Sequence, residues 1–313
     1  MAQATAPPST SEKTFTSYTK EQGEAYAKGR PDYSPKFYQS IIDDHAATGG
    51  QFDRIVDLGC GPGNVARALS PHFAHAFGLD PSEGMIAVAR SKGGLTATSE
   101  PIRYEISTAE DLGRSLSPPI QAGSIDLITA GNAAHWFKMQ EFWHQAARVL
   151  KPHGSVVLWT SNPAKMHPSV PNAAAIDQAL NDLGEGALKP YMAEGNVLTR
   201  DGYSSLPLPW TIDPPQPDFD EKDFVRKDWT LPEDDPNHTQ VDLDKLEQIM
   251  DTMSPVTRWR EAHPELRGTD QDVVKIHRNK IARLLHEAGV EPGKEVLTSI
   301  PNLAVLIVKK RGN

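Results

Sequence analysis

The chain has 313 residues, a net charge of −9 and one cysteine. The length suits one large α/β domain or a domain with a sizeable insertion; the lone Cys60 rules out an intramolecular disulfide and argues against a structural zinc site. An acidic balance without clustered Lys and Arg opposes a nucleic-acid partner, and no apolar run nears the roughly 20 residues that span a bilayer.

Residues 1–15, rich in Ala, Pro, Ser and Thr and without an apolar stretch, read as a disordered tail rather than a secretory signal. Together with the single thiol, this leads us to expect a cytoplasmic protein. Residues 18–30 are polar with spaced aromatics, Pro31 and Pro35 bracket a turn, and residues 37–45 have helical apolar spacing. Residues 16–50 are thus expected to supply a lid segment and a first helix.

The core is expected over residues 51–163. Arg54-Ile55-Val56-Asp57-Leu58 is a short apolar run ending in Gly59-Cys60-Gly61-Pro62-Gly63, which reads as strand, glycine turn and helix. Further strands are expected over residues 74–79, 102–106, 125–130 and 155–160, separated by helical stretches. This alternation predicts a doubly wound, mostly parallel sheet. In such sheets ligands sit beyond the carboxyl ends of the strands, where Asp57, Asp80, Ala109 and Asn132 fall. Residues 164–313 form a variable substrate-cap region. Pro207, Pro209, Pro214, Pro215 and Pro217 exclude a long helix there. Helices return over residues 243–253 and 273–288, and a last strand over 303–309 completes the sheet.

A glycine turn lets backbone approach a ligand where a Cβ would collide, but alone it signals little more than a tight strand-to-helix turn. The acids around it specify the ligand. Asp57, ahead of the glycines, opposes a pyrophosphate and suits an ammonium group. Asp80 ends the second strand, where a carboxylate can take both ribose hydroxyls. Glu110 and Asp111 follow the third strand and can accept from an adenine amino group. Amino acid, ribose and adenine without phosphate describe S-adenosylmethionine better than NAD.

The run Val56-Asp57-Leu58-Gly59-Cys60-Gly61-Pro62-Gly63 resembles the first motif of class I S-adenosylmethionine-dependent methyltransferases. Tyr26-Ala27-Lys28-Gly29-Arg30-Pro31-Asp32-Tyr33, Ala134-His135-Trp136-Phe137 and Leu150-Lys151-Pro152-His153-Gly154 resemble the fungal trans-aconitate methyltransferase-like group. The resemblance implies a seven-stranded sheet and cofactor contacts at Gly59, Gly61, Asp80, Ala109, Glu110 and Asn132. It also implies that Met85 flanks the adenine and that Arg30 reaches the methionine carboxylate. Lys189-Pro190-Tyr191-Met192 partly matches a Pro-Tyr-Trp segment of the group, which makes Tyr191 a substrate-binding candidate. Gly195-Asn196 stand where that group carries an arginine, and a tricarboxylate acceptor needs fixed cations.

Methyl transfer from a sulfonium is an in-line displacement governed by positioning. It needs no metal, and it needs a base only if the acceptor arrives protonated. His135 is the candidate base or acceptor contact, a structural histidine being the alternative, and Trp136 could wall the acceptor. Tyr18, Tyr26 and Tyr33 could close over the methyl group, with Tyr26 against the cofactor and the other two toward the substrate; an ordinary packed helix is the alternative. The expected function is methyl transfer to a small-molecule carboxylate, hydroxyl or thiol, giving S-adenosylhomocysteine. The competing readings are a protein or RNA methyltransferase and a cofactor-binding protein of the same fold.

Overall fold

A computed structural model describes residue 15 and residues 18–162 and 165–312. The tail expected over residues 1–15 therefore lies, Phe15 apart, outside the described residues. Helix α1 (Lys20–Gly29) opens with a capping box in which Thr19 and Gln22 satisfy each other's backbone N–H groups. Ser34 caps α2 (Pro35–Ala47), with proline at the first helical position. Strand β1 (Arg54–Leu58) leads into α3 (Asn64–Leu69), and β2 (His75–Asp80) into α4 (Glu83–Lys92). Then come β3 (Arg103–Ile106), β4 (Ile125–Gly131), α5 (Met139–Val149) and β5 (Leu150–Ser161).

Strands β1 to β5 form the parallel part of a sheet ordered β3-β2-β1-β4-β5, as the apolar runs predict. The order reverses between β1 and β4, so the crevice for a ligand opens beyond their carboxyl ends. Two buried side-chain clusters cover the faces. One centres on Phe142 and Trp143 of α5, and the other on Phe37 of α2 and Trp159 of β5.

The second half contributes β6 (Lys165–Met166), α6 (Ala173–Asp182), α7 (Glu194–Arg200), β7 (Val225–Thr230), β8 (Thr239–Asp242) and α8 (Leu243–Asp251). It ends in α9 (Ser254–Ala262), α10 (Val273–Glu287), β9 (Val296–Ile300) and β10 (Asn302–Lys309). Strand β10 lies antiparallel between β5 and β7 and brings the main sheet to seven strands. Strands β6, β9 and β8 form a small antiparallel sheet. It shares a third apolar cluster with α6, α8, α9 and α10, which is the core of the cap. Among the described residues no helix is long and apolar enough to cross a membrane.

Candidate active site

A cavity of about 1980 Å³ lies along the carboxyl ends of β1, β2 and β4 and reaches under the cap. Its floor is the glycine turn. Gly59 and Gly61 have left-handed φ values of 59° and 51°, which glycine alone adopts without strain. They differ in what surrounds them. A Cβ on Gly59 would lie 2.6 Å from the Ala133 methyl, whereas one on Gly61 would meet no protein atom within 4 Å and would project into open space.

Two carboxylates stand at this floor. Asp80 holds the turn together, with one oxygen accepting from the Gly61 N–H at 2.9 Å and the other from the Ser82 N–H at 2.8 Å. Burial pushes its carboxyl up to about 6 against those bonds. Asp57 is buried at the end of β1, where Oδ1 accepts from the Thr129 hydroxyl at 2.8 Å. Among the described residues its buried Oδ2 has no hydrogen-bond partner, and burial pushes this carboxyl up to about 7 against the pull of Thr129 and the Ala66 backbone. Arg30, which also lines the cavity and lies 5.5 Å from the Tyr26 ring centroid, has a buried Nε with no hydrogen-bond partner among the described residues.

Glu110 lines the cavity while accepting from the Lys138 N–H at 2.8 Å. Met85 and Ala109 lie on the same wall. Asp111 does not; it accepts from the Ser107 and Ser115 hydroxyls. Asn132, at φ 51°, has a side chain that is fully engaged. Its amide donates to the Tyr33 hydroxyl and to Ser161 Oγ, while its oxygen accepts from the Ser161 N–H and the Thr160 hydroxyl. It braces β4 against β5 and Tyr33, and because its N–H donates to the Trp159 carbonyl at 2.8 Å, only its backbone carbonyl is left for a ligand.

His135 and Trp136 sit on a short turn after β4, rings 4.6 Å apart, and both line the cavity. The His135 Nδ1 and the Tyr203 hydroxyl share a 2.7 Å hydrogen bond. Burial, with Arg30 nearby, pushes this imidazole down to about 3, so it is uncharged at neutral pH. Tyr26 and Tyr33 also reach the cavity wall. Tyr18 and Tyr191 are not among its lining residues. Tyr18 packs its ring against Phe15 and Tyr26, and the Tyr191 hydroxyl bonds to His263 at 2.8 Å. Phe15 and Tyr203 escaped the sequence reading. Neither belongs to a periodic segment, and only the fold brings them near Trp136 and His135.

The strand order and the antiparallel β10 define the class of fold, the Rossmann-like fold of class I methyltransferases. Residues 56–158 match the methyltransferase domain family. A Dictyostelium discoideum protein assigned as a methyltransferase is 32% identical over 136 residues, 44% of this chain and 46% of its own length. The Saccharomyces cerevisiae protein CRG1, assigned as an S-adenosylmethionine-dependent methyltransferase, is 27% identical over 146 residues, 46% of this chain and 47% of its own. The chain thus spans about half the length of these curated relatives. A solved structure from Anaeromyxobacter dehalogenans, assigned as a type II methyltransferase, shares the fold. Its TM-score is 0.61 at 21% identity, over 91% of this chain and 99% of that one.

Proposed function

We propose that the chain transfers a methyl group from S-adenosylmethionine to a small-molecule acceptor. One observation carries this reading. Two buried atoms on an acid and a base, Asp57 Oδ2 and Arg30 Nε, have no hydrogen-bond partner among the described residues and belong to residues lining one cavity beside a glycine turn. A zwitterionic amino acid satisfies both, its ammonium at Asp57 and its carboxylate at Arg30. Asp80 suits the ribose hydroxyls, Gly61 leaves space for the ligand, and Met85, Ala109 and Glu110 suit the adenine. When bound, the cofactor supplies an electrophilic methyl on its sulfonium.

Tyr26, Tyr33, His135 and Trp136 would orient the acceptor and exclude water. At about 1980 Å³ the cavity exceeds the roughly 300–1,000 Å³ of a single-ligand pocket, which supports an acceptor beside the cofactor. The cap side is largely apolar, with Leu180, Leu183, Met192, Met250, Met253 and Leu297 on its wall. Arg200, also on the wall, is paired with Glu185. The apolar wall favours an acceptor with an apolar body.

Methyl-labelled adenosylmethionine supplied with a pooled metabolite extract should label the small-molecule fraction, with a mass shift of one methyl group. Label in protein or RNA would move the acceptor to a macromolecule. Adenosylhomocysteine binding without any transfer would leave a cofactor-binding protein.

A further inference from the structure

We infer that Tyr203 is a positioning residue that fixes His135 in the Nε2–H tautomer, so that the site offers the acceptor a hydrogen-bond donor and selects an oxygen that arrives ionised. This rests on the reading of His135 as part of the acceptor site.

Tyr203 lies in the loop after α7 with a left-handed φ of 62°, directly after Gly202 at the same φ. A bulky side chain seldom adopts that conformation, and such strain persists where surrounding structure enforces it. The side chain is only 1% exposed and is absent from the cavity wall; it stands behind His135, ring centroids 5.8 Å apart. The His135 backbone is clamped as well. A Cβ on Gly195 of α7 would lie 2.7 Å from the His135 carbonyl and 2.6 Å from the Trp136 ring. With Nδ1 turned back to Tyr203 at 2.7 Å, Nε2 is the nitrogen left for the cavity.

The proton positions follow from hydrogen-bond supply. A buried phenol has one hydrogen, and leaving it unused would cost the desolvation of that group. His135 Nδ1 is the acceptor in hydrogen-bonding geometry with this hydroxyl among the described residues. Burial keeps the phenol protonated, while the His135 backbone, the Thr160 side chain and the Ala134 backbone pull the other way. A neutral imidazole has one donor and one acceptor nitrogen. If Nδ1 accepts from Tyr203, the hydrogen sits on Nε2, and the ring cannot take a proton from an acceptor there.

An Nε2–H matches a carboxylate, one oxygen of which accepts this hydrogen bond while the other is methylated. The acceptor oxygen supplies the pair for the new C–O bond and the C–S pair stays on sulfur. Both charges cancel and no proton is released, so no base is required. The acceptor is therefore an acid with an apolar body, its ionised end at His135 and the remainder under the cap.

The test uses the full chain labelled with nitrogen-15 histidine, bound to adenosylhomocysteine; the His135 signals are those lost in His135→Gln. At neutral pH Nδ1 should be bare and Nε2 protonated. Tyr203→Phe, which keeps the ring and removes the hydroxyl, should populate the other tautomer. Benzoate should move the Nε2–H signal and benzyl alcohol should not. A protonated Nδ1 in the wild type, the Tyr203 hydroxyl having turned to Thr160, would overturn the assignment even if Tyr203→Phe fails to fold. An unchanged signal in a folded Tyr203→Phe protein would do the same, as would an equal or absent response to the two probes. Failure of adenosylhomocysteine to bind is a different result: it sinks the proposed function and leaves the tautomer readable in the free protein.

Discussion

At the residue scale the glycine turn and its acids make the sharpest predictions. Gly61→Val places a branched side chain in the space left for the ligand, at a backbone conformation it resists, and should abolish adenosylhomocysteine binding in calorimetry. Asp80→Ala removes the acceptor of the Gly61 and Ser82 N–H groups as well as the proposed ribose contact. Charge-assisted bonds of this kind contribute about 1.5–3 kcal/mol each, so both the melting temperature and the affinity should fall, the latter by about tenfold or more. Asp57 brings a pH dependence. Burial pushes its carboxyl up to about 7, so the ligand-free protein holds it neutral below that value. The stabilisation from binding that proton is present in the ordinary carboxylate range and is lost as pH rises through about 7. An ammonium ligand reverses the preference. Affinity should therefore fall about tenfold from one pH unit above that value to one unit below it, and Asp57→Asn should flatten the profile. The placement of Asp57, Asp80 and Gly61 on the cavity was legible because apolar runs mark the strand ends and glycines mark the turn that follows. The committed side chain of Asn132 was not, because its partners Tyr33, Thr160 and Ser161 come from distant parts of the chain. Tyr203 gave no sign at all: its tie to His135 joins residues 68 positions apart in the chain.

Among the elements, α1 depends on a close approach that glycine permits. A Cβ on Gly84 of α4 would lie 2.2 Å from the Tyr18 carbonyl oxygen and 2.5 Å from that of Thr19. Gly84→Val should thus undock α1 and withdraw Tyr26 and Arg30 from the cavity while the sheet stays intact. Adenosylhomocysteine affinity should drop by about tenfold to a hundredfold, the loss of one charge-assisted partner, with α1 becoming sensitive to protease. Full affinity in that variant would remove the segment from the site. Strands β1, β2, β4 and β10 were legible as apolar runs closed by glycine, aspartate or the end of the pattern. Strand β7, Val-Arg-Lys-Asp-Trp-Thr, was not. It lies at the sheet edge, where only Lys227 and Trp229 are half-buried and charge is tolerated. Helix α6 was hidden for another reason: the surrounding prolines dominate the composition, although its own Ala-Ala-Ala-Ile run is a good helix former.

For the whole molecule, β10 joins the two halves. Its residues Leu303, Val305 and Ile307 enter one core cluster and Leu306 and Val308 the other. Leu306→Asp would bury a carboxylate inside the second of these clusters and should cost several kcal/mol, enough to remove a cooperative unfolding transition. The same change at Val225, which is 46% exposed, should leave the transition nearly in place. The position of β10 also sets a schedule. Strand β5 is made early, but the partner for its outer edge arrives only after residues 162–301 have been synthesised. At roughly 5–20 residues per second, that edge stays bare for on the order of ten seconds on every ribosome. The apolar run of β5 thus waits unpaired on that side through each round of translation, and the second half has no finished wall to close against until the strand that follows it is made.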